Sequence, residues 1–199
     1  AVHLPIQVRD YVDFYSSLHH ATNLGKLFRP DADPLLPNWR HLPVAYHGRA
    51  GTVVTSGTPV IRPTGLVSTD GEVTRRPCAA LDFELEVGFV VGPGNEPGVP
   101  IPPDDADRHV FGLVLVNDWS ARDIQAFEYQ PLGPFLGKSF LTTVSPWVVP
   151  LEALRHHLVP TDPQDPPPDA FFTPAHPRSL DVALAADRPA TAIARANLR

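Results

Sequence analysis

At 199 residues and 43% hydrophobic content the chain can bury a core, one domain is the default, and disorder is excluded as its main state. A net charge of -6 leaves no basic footprint for nucleic acid, and no apolar run approaches the roughly 20 residues that cross a bilayer. One cysteine, Cys78, excludes an internal disulfide framework and a Cys-based zinc site; with no basic flank and apolar run over residues 1–13, a cytoplasmic location is expected.

The 25 prolines, about two and a half times ordinary usage, are dispersed among apolar runs and mark tight turns in a strand-rich fold. After a polar-aromatic entry over 10–15, Ser16 offers an N-cap, and 17–24 can form two helical turns closed by Gly25. Residues 29–42, with Trp39, read as an irregular loop. Residues 44–47, 52–55 and 60–62 are strand candidates, with turns at Ser56-Gly57 and Pro63-Thr64-Gly65. A polar excursion over 68–77 turns at Asp70-Gly71.

Residues 81–91 then read as one strand. Phe83, Leu85 and Val87 fall on one face, and Asp82, Glu84 and Glu86 on the other. Two carboxylates side by side repel unless a cation or proton lies between them. The plainer reading is a solvated face; against it, Gly88 to Val91 is apolar on both faces, as in a buried strand. Gly92 to Asn95 ends the strand. Residues 103–111 read as a helix, with Pro at its first turn and Asp104, Asp105 and Asp107 near its positive end. A buried strand over 113–116 delivers Asn117-Asp118. Ser120 to Asp123 fits a capping box for a helix over 124–129, and a Pro/Gly loop over 131–137 leads into a strand over 139–149. Beyond it, 151–158 reads as a helix, 160–168 as a linker or surface loop, and 180–185 alternates weakly, with no terminator at the chain's end.

Four carboxylates fall at ends of these elements: Asp13, Glu84, Glu86 and Asp118. Spacing does not make them converge; if they do, an all-oxygen cage suits calcium or magnesium. For Asp118 a helix cap is the equal alternative. Arg122, Gln125 and Tyr129 form one helical stripe, which by itself is an ordinary solvated face, although Ile124 and Phe127 suggest cover on other sides. His20 stands out only through its neighbours Asp13 and Tyr15. Gly133 to Ser139 has the wrong spacing and the wrong flanking elements for a P-loop, so Lys138 reads as a lone ammonium aimed at an anion or oxyanion.

Asp13 to Ser17, His20 to Asn23, Leu36 to Trp39, Tyr46 to Arg49, Asp82 to Glu86, Asn117 to Gln125 and Leu132 to Phe140 together resemble the catalytic domain of the fumarylacetoacetase family. The resemblance runs from about residue 10 to about 150. It implies an α+β, β-rich fold, a mixed β-sandwich roll, and a homodimer. It also implies hydrolysis of 4-fumarylacetoacetate to fumarate and acetoacetate, the last step of tyrosine and phenylalanine breakdown. By analogy, Asp13, Glu84, Glu86 and Asp118 hold Ca2+, a second ion (Mg2+) sits near Lys138 and Thr142, and His20 is the general base. Tyr15, Arg29, Tyr46, Gln125 and Tyr129 hold the substrate; Arg122, Gln125 and Lys138 surround the developing negative charge. The family's N-terminal SH3-like domain and a C-terminal segment have no counterpart here, so 1–199 corresponds to a partial catalytic domain. Leu141 stands where the family carries a small residue. The rival readings are another superfamily member acting on an acylpyruvate or 2-oxo acid, and a calcium-binding β-module without catalysis.

Overall fold

The structure, a computed structural model, describes residues 2–188 and 191–197. It is α+β and β-rich, as expected. Length alone predicts one domain; the contacts group the chain into two compact units, Ala1–Glu84 with Asn117–Val144, and Leu85–Val116 with Ser145–Arg199. The chain leaves the first unit at Glu84 and returns at Asn117, so each unit is built from two separated stretches.

In the first unit, Val12–Phe14 pairs antiparallel with Ala45–His47, setting Asp13 opposite Tyr46. Val53–Thr55 runs parallel to Thr142–Val144. The hairpin Thr64–Thr69/Glu72–Pro77 turns at Asp70 and Gly71, both at positive φ (51° and 84°), where Asp and Gly tolerate the left-handed region best. This hairpin replaces the strand expected over 60–62, which has no regular structure, and most of the polar excursion. Its Val67 packs with Cys78, Ala121 and Ile124, against Leu81, Leu136 and Phe140.

The second unit pairs Leu85–Val91 with Val110–Asp118, whose last two residues belong to the first unit. Val149–Pro150 adds antiparallel at Leu113 and Gly112. Two further antiparallel pairs are Leu158–Pro160 with Arg178–Leu180, and Ala183–Arg188 with Thr191–Asn197. Residues 190, 198 and 199 of the chain's end lie outside the described residues.

Several expected elements change form. The helix over 17–24 is Leu18–Phe28, capped by Ser17 and not Ser16; Gly25 lies inside it, where a Cβ would sit 2.0 Å from the Pro34 carbonyl oxygen. Close packing, not termination, explains that glycine. The 81–91 strand breaks into Leu81–Asp82 and Leu85–Val91, and Phe89 and Val91 are exposed, so its second half is not buried on both faces. Residues 103–109 and 151–157 are 3-10 helices, and the 29–42 loop contains another at Pro37–Arg40. The capping box does not form: Ser120 lies in the two-residue strand Ser120–Ala121, its hydroxyl donates to the Asp118 carbonyl, and the helix is Arg122–Glu128. The strand expected over 139–149 is divided into the turn Leu136–Ser139, then Thr142–Val144 and Val149–Pro150.

Candidate active site

Within the first unit, Leu81 pairs with Ala121 and Asp82 with Ser120. The same register continues past the strand break, because Glu84 and Asp118 exchange both backbone N–H···O bonds, at 3.1 and 3.2 Å. Residues opposed in this way project their side chains to the same face, and two like charges there are destabilising unless a cation lies between them. Lys138 supplies it. Its Nζ lies 2.7 Å from Glu84 Oε2 and 2.5 Å from Asp118 Oδ2, and all three side chains are at least nine-tenths buried.

Arg122 and His20 also close on Glu84. Arg122 Nη1 donates to Oε1 at 2.7 Å, and His20 Nε2 lies 3.2 Å from the same oxygen. His20 is placed by its helix: the extended Ser17 backbone puts its Oγ where it accepts the His20 N–H, fixing the imidazole in the first turn. The Tyr15 ring meets His20 edge-on with centroids 5.8 Å apart, and the Tyr15 hydroxyl donates to the Ala21 carbonyl. Most of the remaining Arg122 guanidinium is committed as well. Nε and Nη2 each lie 2.9 Å from Asp82 Oδ2, and Nη1 also donates to Gln125 Oε1 at 3.1 Å.

The second side of the cluster is acidic. Tyr46 donates its hydroxyl to Asp118 Oδ2 at 2.8 Å and lies 3.4 Å from Asp13 Oδ2. Asp118 is fully buried, and its Oδ1 has no hydrogen-bond partner among the described residues. That disposes of the capping alternative for Asp118.

The electrostatics divide accordingly. Burial opposes ionisation of Glu84, but the His20 hydrogen bond and the charges of Lys138 and Arg122 hold its carboxyl well below the usual range. Burial also disfavours the Lys138 ammonium, yet Glu84 and Asp118 raise its pKa. Asp118 is shifted upward by burial, which Lys138 only partly offsets. Asp13 is pushed up to about 7 by burial and by the Asp118 carboxylate. Tyr46 rises for the same two reasons and stays a phenol.

A hard divalent cation fits this chemistry. The donors are carboxylate oxygens, Asp118 Oδ1 is a buried acceptor with nothing to accept among the described residues, and the Lys138 charge only partly offsets the burial and the Asp118 repulsion that Asp13 meets. Of the four expected ligands, Asp13, Glu84 and Asp118 belong to the first unit; Glu86 is half-buried on Leu85–Val91 of the second. Glu84 already meets Arg122, Lys138 and His20, leaving little of its acceptor capacity for a metal.

The other expected residues flank this cluster. The Thr142 hydroxyl is bonded to the Tyr11 hydroxyl at 3.1 Å. Arg29 donates through Nη2 to the Pro34 carbonyl at 2.8 Å, and its buried Nε has no partner. Tyr129 stacks on Phe28, and Gln125 is buried while Phe127 is exposed, so the helix Arg122–Glu128 is covered on one side only. A pocket of about 250 Å³ is lined by Tyr46, Arg49, Phe135 and Ser139, with the Arg49 guanidinium 5.4 Å from the Phe135 ring centre. Sequence reasoning passed over Asp82 and Tyr11. The signals were there: Asp82 is the third acid of the alternating strand, and Tyr11 directly precedes the strand Val12–Phe14 that carries Asp13.

The fumarylacetoacetate (FAA) hydrolase C-terminal family matches residues 10–171. Fumarylacetoacetase of Mus musculus is 55% identical over 187 residues, covering 92% of this chain and 44% of the mouse protein. The Homo sapiens and Caenorhabditis elegans fumarylacetoacetases are each 56% identical over 187 residues, covering 92% of this chain and 44% and 45% of their own lengths. The chain thus spans less than half the length of these curated relatives. The matched stretch contains every residue of the cluster just described, and the chain belongs to the fumarylacetoacetate hydrolase family.

Proposed function

We propose that the complete protein hydrolyses the carbon–carbon bond of 4-fumarylacetoacetate, giving fumarate and acetoacetate in tyrosine and phenylalanine breakdown. The observation that carries this reading is the buried Glu84 carboxylate, which joins His20, Arg122 and Lys138 beside the unpaired oxygen of Asp118. The identity to fumarylacetoacetases over most of the chain supplies the substrate.

Glu84 Oε1 engages His20 through Nε2, which leaves Nδ1 to take a proton from water. The water oxygen adds to the carbonyl carbon next to the fumaroyl double bond. Lys138 has three N–H donors and spends two on Glu84 and Asp118, so one remains for the developing oxyanion. Gln125 accepts from Arg122 through Oε1, and its amide N–H groups remain for substrate. Collapse of the adduct breaks the bond to the methylene carbon, and the proton held by His20 goes to that carbon. Four of the five Arg122 N–H donors face protein acceptors, so its part is to hold Glu84, and oxyanion stabilisation falls to Lys138 and Gln125. Tyr15, Arg29, Tyr46 and Tyr129 bind the substrate.

Asp13, Glu86 and Asp118, with Glu84, are the residues that would hold Ca2+. When bound, the cation supplies Lewis-acid polarisation of the dicarbonyl oxygens. A second ion, Mg2+, at Lys138 and Thr142 fits less well: the ammonium repels it, and the Thr142 hydroxyl is bonded to Tyr11. Family resemblance also supports a homodimer; among the described residues no helix is long and apolar enough to cross a membrane.

Turnover of fumarylacetoacetate by the complete protein, measured against an acylpyruvate, tests the substrate; a preference for the acylpyruvate overturns it. His20→Ala should abolish turnover while calcium binding by calorimetry persists. Combined Glu84→Gln and Glu86→Gln should abolish calcium binding, and unchanged affinity refutes the carboxylate set.

A further inference from the structure

We infer that Glu128, which touches neither the charge cluster nor any group assigned to substrate, is a positioning residue that sets the Lys138 ammonium through the backbone of residues 135–137. The inference rests on the role proposed for Lys138 above. Glu128 is the last residue of the helix Arg122–Glu128, the end at which the helix dipole disfavours a carboxylate. Its side chain is used elsewhere. Oε1 accepts the Phe135 N–H at 3.0 Å and also the Gly137 N–H, in a short bond.

Those two donors flank the start of the turn Leu136–Ser139, whose first N–H groups have no partner within so short a helix. The same turn is closed from inside by Lys138 and Ser139, which donate their N–H groups to the Phe135 carbonyl at 3.1 and 2.7 Å. It is also seated on the helix without slack, since a Cβ at Gly137 would lie 2.9 Å from Gln125 Cα. One helix therefore grips the turn twice, by contact at Gln125 and by the two-pronged acceptor at Glu128. Lys138 follows Gly137 directly, and its Nζ must meet two buried carboxylates at once. A rotation of the turn that loses either N–H bond carries Nζ off one of them.

The test compares Glu128→Ala, Glu128→Asp and Glu128→Gln in the complete protein. Gln keeps the acceptor oxygen at the same reach; Asp, one methylene shorter, does not reach both N–H groups. Steady-state kinetics on fumarylacetoacetate should show kcat about tenfold to hundredfold lower in the Ala and Asp variants, with KM within about twofold, and Gln close to wild type. Independently of substrate, acylation of Lys138 by a lysine-directed reagent, read by peptide mass spectrometry, should quicken in Ala and Asp and stay slow in Gln. If Ala does not fold, the Asp–Gln comparison decides. Unchanged kcat, an equal change in kcat and KM, or an unchanged Lys138 acylation rate in Asp overturns the inference. A wild-type protein inactive on fumarylacetoacetate removes the substrate proposal only, and the acylation arm then decides the role of Glu128.

Discussion

Glu84 shows what one side chain does when it is buried among cations. Its carboxylate accepts from Arg122 and Lys138 and meets His20, and it is only 8% exposed. Taking such charges out of water is costly, and the arrangement holds because the positive and negative groups compensate one another at hydrogen-bond distance. Removing the negative member takes away the charge that Lys138 and Arg122 share, leaving them only Asp118 and Asp82. Glu84→Gln is expected to destabilise the protein by about 3–5 kcal/mol in urea unfolding, the range for breaking a buried pair from one side. A loss below about 1 kcal/mol would mean that Lys138 and Arg122 find water or other acceptors instead. The pair Glu84/Glu86 was legible in the sequence as adjacent acids. Which oxygen meets which cation was not, because Arg122 and Lys138 lie 38 and 54 residues away.

At the scale of elements, the helix Leu18–Phe28 carries His20 because its first turn is capped. Ser17→Ala removes the acceptor for the His20 N–H and should cost about 1 kcal/mol, read as a lower thermal midpoint. Turnover should fall with it if the cap also fixes the imidazole. Sequence placed this helix within a few residues but chose the neighbouring serine and stopped at Gly25. Local pattern cannot tell a glycine that ends a helix from one that admits a crossing carbonyl, and here Pro34 decides. The Ser120–Asp123 capping box failed for a related reason. Ser120 and Ala121 lie in a strand pair with Asp82 and Leu81, and the Arg122 N–H donates to the Ala80 carbonyl, so the backbone is extended where a cap would begin the helix one residue earlier.

For the molecule as a whole, acid stability should reflect Asp123. Burial works against its ionisation, but the Cys78 thiol and the Ala79 and Ile124 N–H groups donate to it and hold its pKa below the usual carboxylate value. The unfolded chain then binds a proton at a pH where the native chain does not. Stability from this group is therefore full above the unfolded value near 4 and is lost as pH falls through the lower native one. Asp123→Asn should flatten the acid limb of a stability–pH curve measured by urea unfolding; an unchanged slope below pH 4 would show that other carboxylates set it. Cys78 shares the interaction: burial and Asp123 push its thiol up to about 11, which suits a structural cysteine in the packed group around Val67 and Ile124.

The sequence by itself determined the β-rich class, the Asp70-Gly71 turn, the acidic strand, the helical stripe Arg122/Gln125 and, through its matched blocks, the family. These rest on neighbours in the chain: alternation, turn chemistry and ordered motifs. Only the tertiary structure decided that Glu84 and Asp118 share one face with Lys138 between them, that Arg122 is spent on Asp82 and Glu84, and that Asp118 keeps a buried oxygen unpaired. Those facts depend on stretches 20 to 54 residues apart being brought together by backbone pairing and packing across the fold, which no local pattern of residue types contains.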